Sequence, residues 1–245
     1  MPFYEREDKI MEIIGKNENI SLEELSGKLF ISLPTLRRDL IKLEKKGLII
    51  RGYGKVSPAK NPADIKIPFS LRESEQNKAK TQMAKVAAEY IKDGDTIMLD
   101  ASTSAYCIVP YLADFKNIIV ITSVAKTALL LAQYGISNIC TGGRMINKSF
   151  SYIGNDAITT ISGYNADVAI FSCRGLSDDG TPSDTSAEEN DVRRAMMRRA
   201  KKKILLCDSK KIGNVYLNNL CEPEELNEII SDVEISPDIL KRTNK

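Results

Sequence analysis

Along the first fifty positions the apolar residues recur at helical spacing. Ile10, Ile13 and Ile14 share one side of a helix expected over residues 5–16, and Asn17-Glu-Asn19 reads as a turn. Ser21 is then an N-cap with Glu24 at the capping-box position, and Leu22, Leu25 and Leu29 form the inward face of a second helix. Ser32 caps a third helix, which tolerates Pro34 in its first turn and carries Leu36, Leu40 and Leu43 along one side. Gly47 ends it, and Leu48 to Val56 reads as a short hairpin turning at Gly52-Tyr-Gly54. Three helices followed by a hairpin predict a winged helix-turn-helix. The stretch from Ser57 to Leu71 holds three prolines and little periodicity, which marks a linker.

The rhythm then changes. Ala79, Met83, Val86, Ala87 and Tyr90 mark a helix, after which short apolar runs recur at Thr96–Leu99, Ile118–Ile121, Ile136–Cys140, Val168–Phe171, Ile204–Cys207 and Ile229–Ile230. Helical stretches separate several of them, notably Ser123–Tyr134 and Ser186–Ala200. Strand, helix, strand at this spacing predicts an α/β, Rossmann-like fold with a mainly parallel sheet covered on both faces. The expected division is a winged helix-turn-helix over residues 1–57, a linker over 58–75, and a larger α/β domain over 76–245.

Bulk charge says little, because the 245 residues carry a net charge of only +2. Its distribution says more: residues 1–27 hold three basic and seven acidic side chains, whereas residues 28–60 hold nine basic and two acidic. With Leu36, Leu40 and Leu43 packed inward, Thr35, Arg38 and Lys42 face outward and Arg37 lies on the flank. A helix with a polar first turn and a basic outer face suits the major groove of double-stranded DNA. Thr35 and Arg38 are the candidates for base edges; Arg37, Arg51 and Lys55 are candidates for phosphates, and Lys42 is a further DNA-binding candidate on the same outer face.

The five cysteines are widely spaced, no CxxC pair occurs and there is no histidine. That pattern fits reduced thiols in a cytoplasmic chain, and it argues against a disulfide framework, a metal site and histidine-based catalysis. No cofactor is expected. Met1 to Asp8 is polar and acidic, unlike a secretory signal, and no apolar run is long enough to span a bilayer, so no membrane association is expected.

Candidate ligand residues collect after the apolar runs. Asp100 closes the first, and Ser102, Thr103 and Ser104 follow in a loop or first helical turn whose N–H groups and hydroxyls could cradle an anion. One of these serines could equally serve only as a helix cap. Thr122, the Gly142-Gly143 pair with Arg144, Arg174 and Lys210 follow later runs. The glycines permit close approach, and the three cations could neutralise an acidic ligand.

The run SLEELSGKLFISLPTLRRDLIKLEKKGLIIRGYGK resembles the helix-turn-helix of the DeoR family of bacterial transcriptional regulators, with TLRRDL at Thr35–Leu40 as its most specific element. The resemblance makes Leu33–Lys45 the recognition helix and Arg37-Arg38 its paired arginines. In the wing, Gly52-Tyr-Gly54-Lys55 stands where the family often has His-Gly-Gly-Ala. The family's Asp, Gly, Thr pattern after the first sensor strand falls on Asp100–Ser104. Other landmarks fall on Thr122, Gly142-Gly143, Tyr152-Ile-Gly154, Asp167 and Asp208-Ser-Lys210, and Arg72, Asn77 and Lys80 align with its lead-in to the sensor. The resemblance implies a sensor domain like that of ribose-phosphate isomerases, a phosphorylated sugar or sugar-alcohol effector, a homodimer or homotetramer, and repression.

Two other classes compete. A sugar-phosphate isomerase would need a poised acid or base, for which Asp100, Asp178, Asp179, Asp184 and Asp208 are candidates, although Ser172–Asn190 reads equally well as a solvated acidic loop. A nucleic-acid scaffold would use the basic run RRAMMRRAKKK, in which Met196, Met197 and Ala200 are expected to pack while the charges meet water or a ligand phosphate. The attached DNA-reading module makes a sensor the simpler reading.

Overall fold

Ile10 and Ile14 meet Leu25, Leu36, Leu40 and Leu43 in one small core, all six fully buried. They belong to a computed structural model that describes residues 3–15, 20–45, 48–52, 54–58, 69–74 and 77–243. The turn expected at 17–19, the stop at Gly47, Tyr53 of the hairpin tip and residues 59–68 and 75 of the linker lie outside the described residues.

The chain forms two compact units, Met1–Pro68 and Phe69–Lys245. The first contains α1 (Phe3–Gly15), β1 (Ile20–Ser21), α2 (Leu22–Leu29), α3 (Leu33–Lys45), β2 (Ile49–Arg51) and β3 (Lys55–Pro58). Ser21 caps α2 by accepting the Glu24 N–H at 3.1 Å. Phe30, in the left-handed region at φ 53°, stops that helix and lets the chain turn into α3. Arg6 of α1 forks onto both oxygens of the buried Asp39 on α3 at 2.7 and 3.1 Å, which fixes the third helix against the first. The strands form a three-stranded sheet in the order β1-β3-β2, with β2 and β3 as the antiparallel wing. A winged helix-turn-helix results.

The second unit runs α4 (Phe69–Ser74), α5 (Asn77–Ala88), β4 (Thr96–Leu99), α6 (Thr103–Tyr106), α7 (Val109–Leu112), β5 (Ile119–Thr122), α8 (Ala125–Gln133), β6 (Ser137–Cys140), β7 (Arg144–Ile146), β8 (Ser151–Ile153) and α9 (Asn155–Ser162). It continues with β9 (Ala166–Ser172), β10 (Gly175–Leu176), β11 (Pro182–Asp184), α10 (Ala187–Arg199), β12 (Ala200–Leu206), β13 (Asn218–Asn219), β14 (Glu228–Ile230) and α11 (Pro237–Arg242). Six strands, one for each apolar run singled out in the sequence, pair in parallel in the order β14-β12-β9-β4-β5-β6. Separate apolar clusters cover the sheet: Phe171, Met196 and Leu205 belong to one, Met83, Leu99 and Leu206 to the other. Leu205 and Leu206 fall in opposite clusters, as the strand alternation requires. The two-stranded β7-β8 ribbon and the three-stranded β10-β11-β13 sheet stand apart from the main sheet.

Helix α4 occupies part of the stretch read as linker. Phe69 is fully buried against Ala101 and Val124, so tertiary contacts, which periodicity does not reveal, order this short helix.

Candidate functional site

On the first unit, the first turn of α3 is held by a hydrogen bond between the hydroxyls of Ser32 and Thr35 at 3.0 Å. Thr35 is half-buried, while Arg37, Arg38 and Lys42 stand exposed on the helix. Arg51 on the wing donates to Glu44 of α3 at 2.8 Å, so its guanidinium pins the wing to the helix. Lys55 is exposed on the neighbouring strand. Arg37, Arg38, Lys42 and Lys55 are thus presented on the exposed side of α3 or the wing, and Arg51 shares its charge with a carboxylate.

In the second unit the carboxyl ends of the parallel strands open into a crevice. Asp100, Ala101, Ser123, Tyr152, Glu189 and Arg193 line it, packed too closely for a water molecule to sit among them. Asp100 lies on its floor and is saturated: it accepts from the backbone N–H groups of Ser102 at 3.1 Å and Ser172 at 3.3 Å, and from Arg193 Nε at 2.7 Å. Arg193 also donates to Asp184 at 3.0 Å and to Asn190 at 2.8 Å. This guanidinium is the main feature that sequence reading missed. The run RRAMMRRAKKK reads as a charged face; Met196, Met197 and Ala200 do pack, but Arg193 is buried with them. Burial opposes its charge, yet Asp184, Asp100 and Glu189 outweigh that cost and raise its pKa above the ordinary value. Burial likewise works against the Asp184 carboxylate, and Arg193, Arg174 and two backbone N–H groups overcome it, so its pKa falls below the usual range. Asp100 and Asp184 therefore act as positioning anions for the crevice.

Above that floor sits the Asp100–Ser104 loop. Ser102 caps α6 by accepting the Ala105 N–H at 3.0 Å, so this serine takes the role of a cap. Thr103 donates to the Arg72 carbonyl at 3.4 Å. Ser104 Oγ is buried and has no hydrogen-bond partner among the described residues. The N–H groups of Thr103 and Ser104, first in α6, have no acceptor within their own helix.

The other candidates separate on inspection. Thr122 is fully buried and its hydroxyl accepts the Val124 N–H at 3.3 Å, shaping the turn after β5. Gly143, at φ 108°, brings the backbone so close to β8 that a Cβ would lie 2.8 Å from the Ile153 carbonyl; Gly142 precedes it at φ 68°. Arg144 is exposed and ion-paired with Glu188. Arg174 lies with its guanidinium 5.8 Å from the Tyr216 ring centre, near Asp184. Lys210 is exposed, and it is Lys211 that turns inward, to Ser172 Oγ at 2.8 Å and Asp208 at 3.1 Å. The DSKK run gave no means of choosing between the two lysines. Arg72 was noted in the sequence only as an alignment landmark. The residue is half-buried, with Glu189, Arg174 and Asp184 near its guanidinium, and burial lowers its pKa.

A winged helix-turn-helix with an exposed basic recognition helix, joined to a parallel α/β unit with a polar crevice at its strand ends, is the make-up of a DNA-binding transcriptional regulator. Residues 6–61 match the DeoR-like helix-turn-helix domain, and residues 75–233 match the DeoR C-terminal sensor domain. The chain belongs to the DeoR family of transcriptional regulators. It is 33% identical over 238 residues to the HTH-type transcriptional regulator YulB of Bacillus subtilis, spanning 97% of this chain and 92% of that one. It is 30% identical to the HTH-type transcriptional repressor GlcR of the same organism, over 93% of this chain and 88% of that one. Among solved structures, eIF2B delta of Chaetomium thermophilum superposes with a TM-score of 0.50 at 17% identity, covering 68% of this chain and 60% of that one, a likeness of fold. These relatives are regulators of transcription, and this chain is a regulator rather than an enzyme. No helix among the described residues is long and apolar enough to cross a membrane.

Proposed function

We propose that the chain is a repressor whose hold on its operator is controlled by a phosphorylated sugar or sugar alcohol bound at the carboxyl ends of the sensor strands. The observation that carries this reading is the buried hydroxyl of Ser104, which has no partner among the described residues, beside the two N–H groups that open α6 and have no acceptor within that helix. A buried hydroxyl without a partner costs roughly 1–3 kcal/mol, a cost recovered when an anion accepts from it. Lys211, in the turn after β12 with its ammonium on Ser172 at the end of β9, and Arg174 just beyond β9 supply positive charge for a phosphate.

On the DNA side, Thr35 and Arg38 read base edges while Arg37, Lys42, Arg51 and Lys55 meet phosphates, with Arg51 exchanging Glu44 for the duplex. Two copies on a two-fold operator, as a homodimer or within a homotetramer, place paired recognition helices in successive major grooves. The name of the relative GlcR favours repression as the sign. An effector acts on DNA affinity only by binding the competent and incompetent arrangements differently. An electrophoretic shift titrated with a panel of sugar phosphates and sugar-alcohol phosphates tests the reading: one of them weakens operator binding, and unchanged affinity across the panel would refute it.

A further inference from the structure

Helix α4 is tied to several of the segments around the crevice. The Phe69 N–H donates to the Lys148 carbonyl at 2.8 Å, and its ring meets Tyr106 edge-on at 5.3 Å and Phe150 at 6.4 Å. Lys126, in the first turn of α8, lies 5.1 Å from the Phe69 ring centre and 5.3 Å from that of Tyr106 while ion-paired with Glu73. The Arg72 carbonyl receives two donors, the ammonium of the buried Lys80 and, at 3.4 Å, the hydroxyl of Thr103. A helix of six residues cannot hold itself in water, so its order depends on these anchors.

Thr103 belongs at once to this latch and to the anion cradle. A hydroxyl has one proton, which serves either the Arg72 carbonyl or an anion at the first turn of α6, never both. We propose that α4 is the element through which the sensor acts on the DNA-binding unit, and that Thr103 is its switch: a bound anion takes the hydroxyl proton away from the Arg72 carbonyl and loosens α4. The chain passes from the winged module through residues 59–68 into α4, so a change in the order of this helix changes the tether of that module. The anion binds more tightly to the arrangement in which Thr103 has left Arg72, which is the differential affinity that a population shift requires. This inference rests on the anion-binding reading above.

The test is hydrogen–deuterium exchange on the full chain with inorganic phosphate as the probe, alongside melting temperature and operator affinity. Chloride at matched ionic strength is the control, because salt alone weakens DNA binding. Phosphate is expected to raise the melting temperature, to speed exchange of the 69–74 amides about fivefold, the worth of one net hydrogen bond, and to weaken operator binding about tenfold. In Thr103→Val, α4 exchanges fast from the start, and phosphate changes neither its exchange nor operator affinity. Thr103→Ser restores both responses. Stabilisation by phosphate with α4 exchange unchanged would overturn the coupling and leave the crevice reading intact. Absence of stabilisation by phosphate would remove both, and a Thr103→Val chain that responds like the native one would refute the switch.

Discussion

Replacing Arg193 by Met should destabilise the sensor severely and shrink that loss in acid. The guanidinium is 4% exposed and serves two carboxylates, Asp100 at 1% and Asp184 at 7%. Methionine fills much of the same volume but leaves Asp100 without its ion-pair partner and Asp184 with only the more distant Arg174. Removing one partner of a buried pair typically costs about 3–5 kcal/mol. At about 2–4 °C per kcal/mol for a unit of this size, the melting temperature should fall by roughly 6–20 °C. The sign of the pH effect follows from the same groups. In the native chain Asp184 has a depressed pKa, so its contribution is complete above the ordinary carboxylate value of about 3.9 and is lost as pH falls from there. In Arg193→Met the strongest compensating charge is gone while burial, Arg174 and the two backbone N–H groups stay, so that pKa rises from its depressed position. Relative to native, the variant is then weakest near neutrality and recovers as pH drops through the shifted pKa. Calorimetry between pH 7 and pH 4 would measure both effects, and Asp100→Asn with Asp184→Asn added to Arg193→Met should restore much of the loss. A single variant within about 1 kcal/mol of native at pH 7, with the same acid profile, would refute the reasoning.

Three further outcomes follow from other residues. Ser104→Ala removes a hydroxyl that has no partner among the described residues, so stability should hold or rise by about 1 kcal/mol while phosphate stabilisation in a thermal shift is lost; a clear drop in unliganded stability would contradict this. Arg38→Ala should cost roughly 1–3 kcal/mol on the specific operator and much less on random DNA, read by competition gel shift; equal losses on both would make Arg38 a phosphate contact. Gly143→Ala forces a side chain into φ 108° with its Cβ 2.8 Å from the Ile153 carbonyl, and should cost about 1–3 kcal/mol or more, measured as a lower urea midpoint.

The central strands β4, β5 and β9 were legible because a strand buried on both faces must be largely apolar, and the edge strand β6 and the half-polar β12 were legible from shorter apolar runs standing between helical stretches. Ser21 and the leucine stripe of α3 were legible for a comparable reason, since capping and helical periodicity are local. What escaped depends on distant partners. Arg193 looks like its exposed neighbours until Asp100, 93 positions away, is brought beside it. Helix α4 is too short to declare a period and is ordered by Tyr106, Val124 and Phe150. The ribbons β10, β11 and β13, of two or three residues each, take their pairing from the folded crevice. Lys211 differs from Lys210 only in which way the turn after β12 directs it.

The order of strands in the main sheet also sets the order in which the two units come into being. On one side β4 is paired by β9, a strand beginning at Ala166, so the middle of the sheet cannot close until most of the chain has left the ribosome. The winged module needs nothing beyond Pro58 for its sheet, and modules fold as units from the amino end during synthesis. Each growing chain therefore completes its DNA-reading module well before its sensing sheet exists. A message truncated ahead of β9 would release the former without the latter.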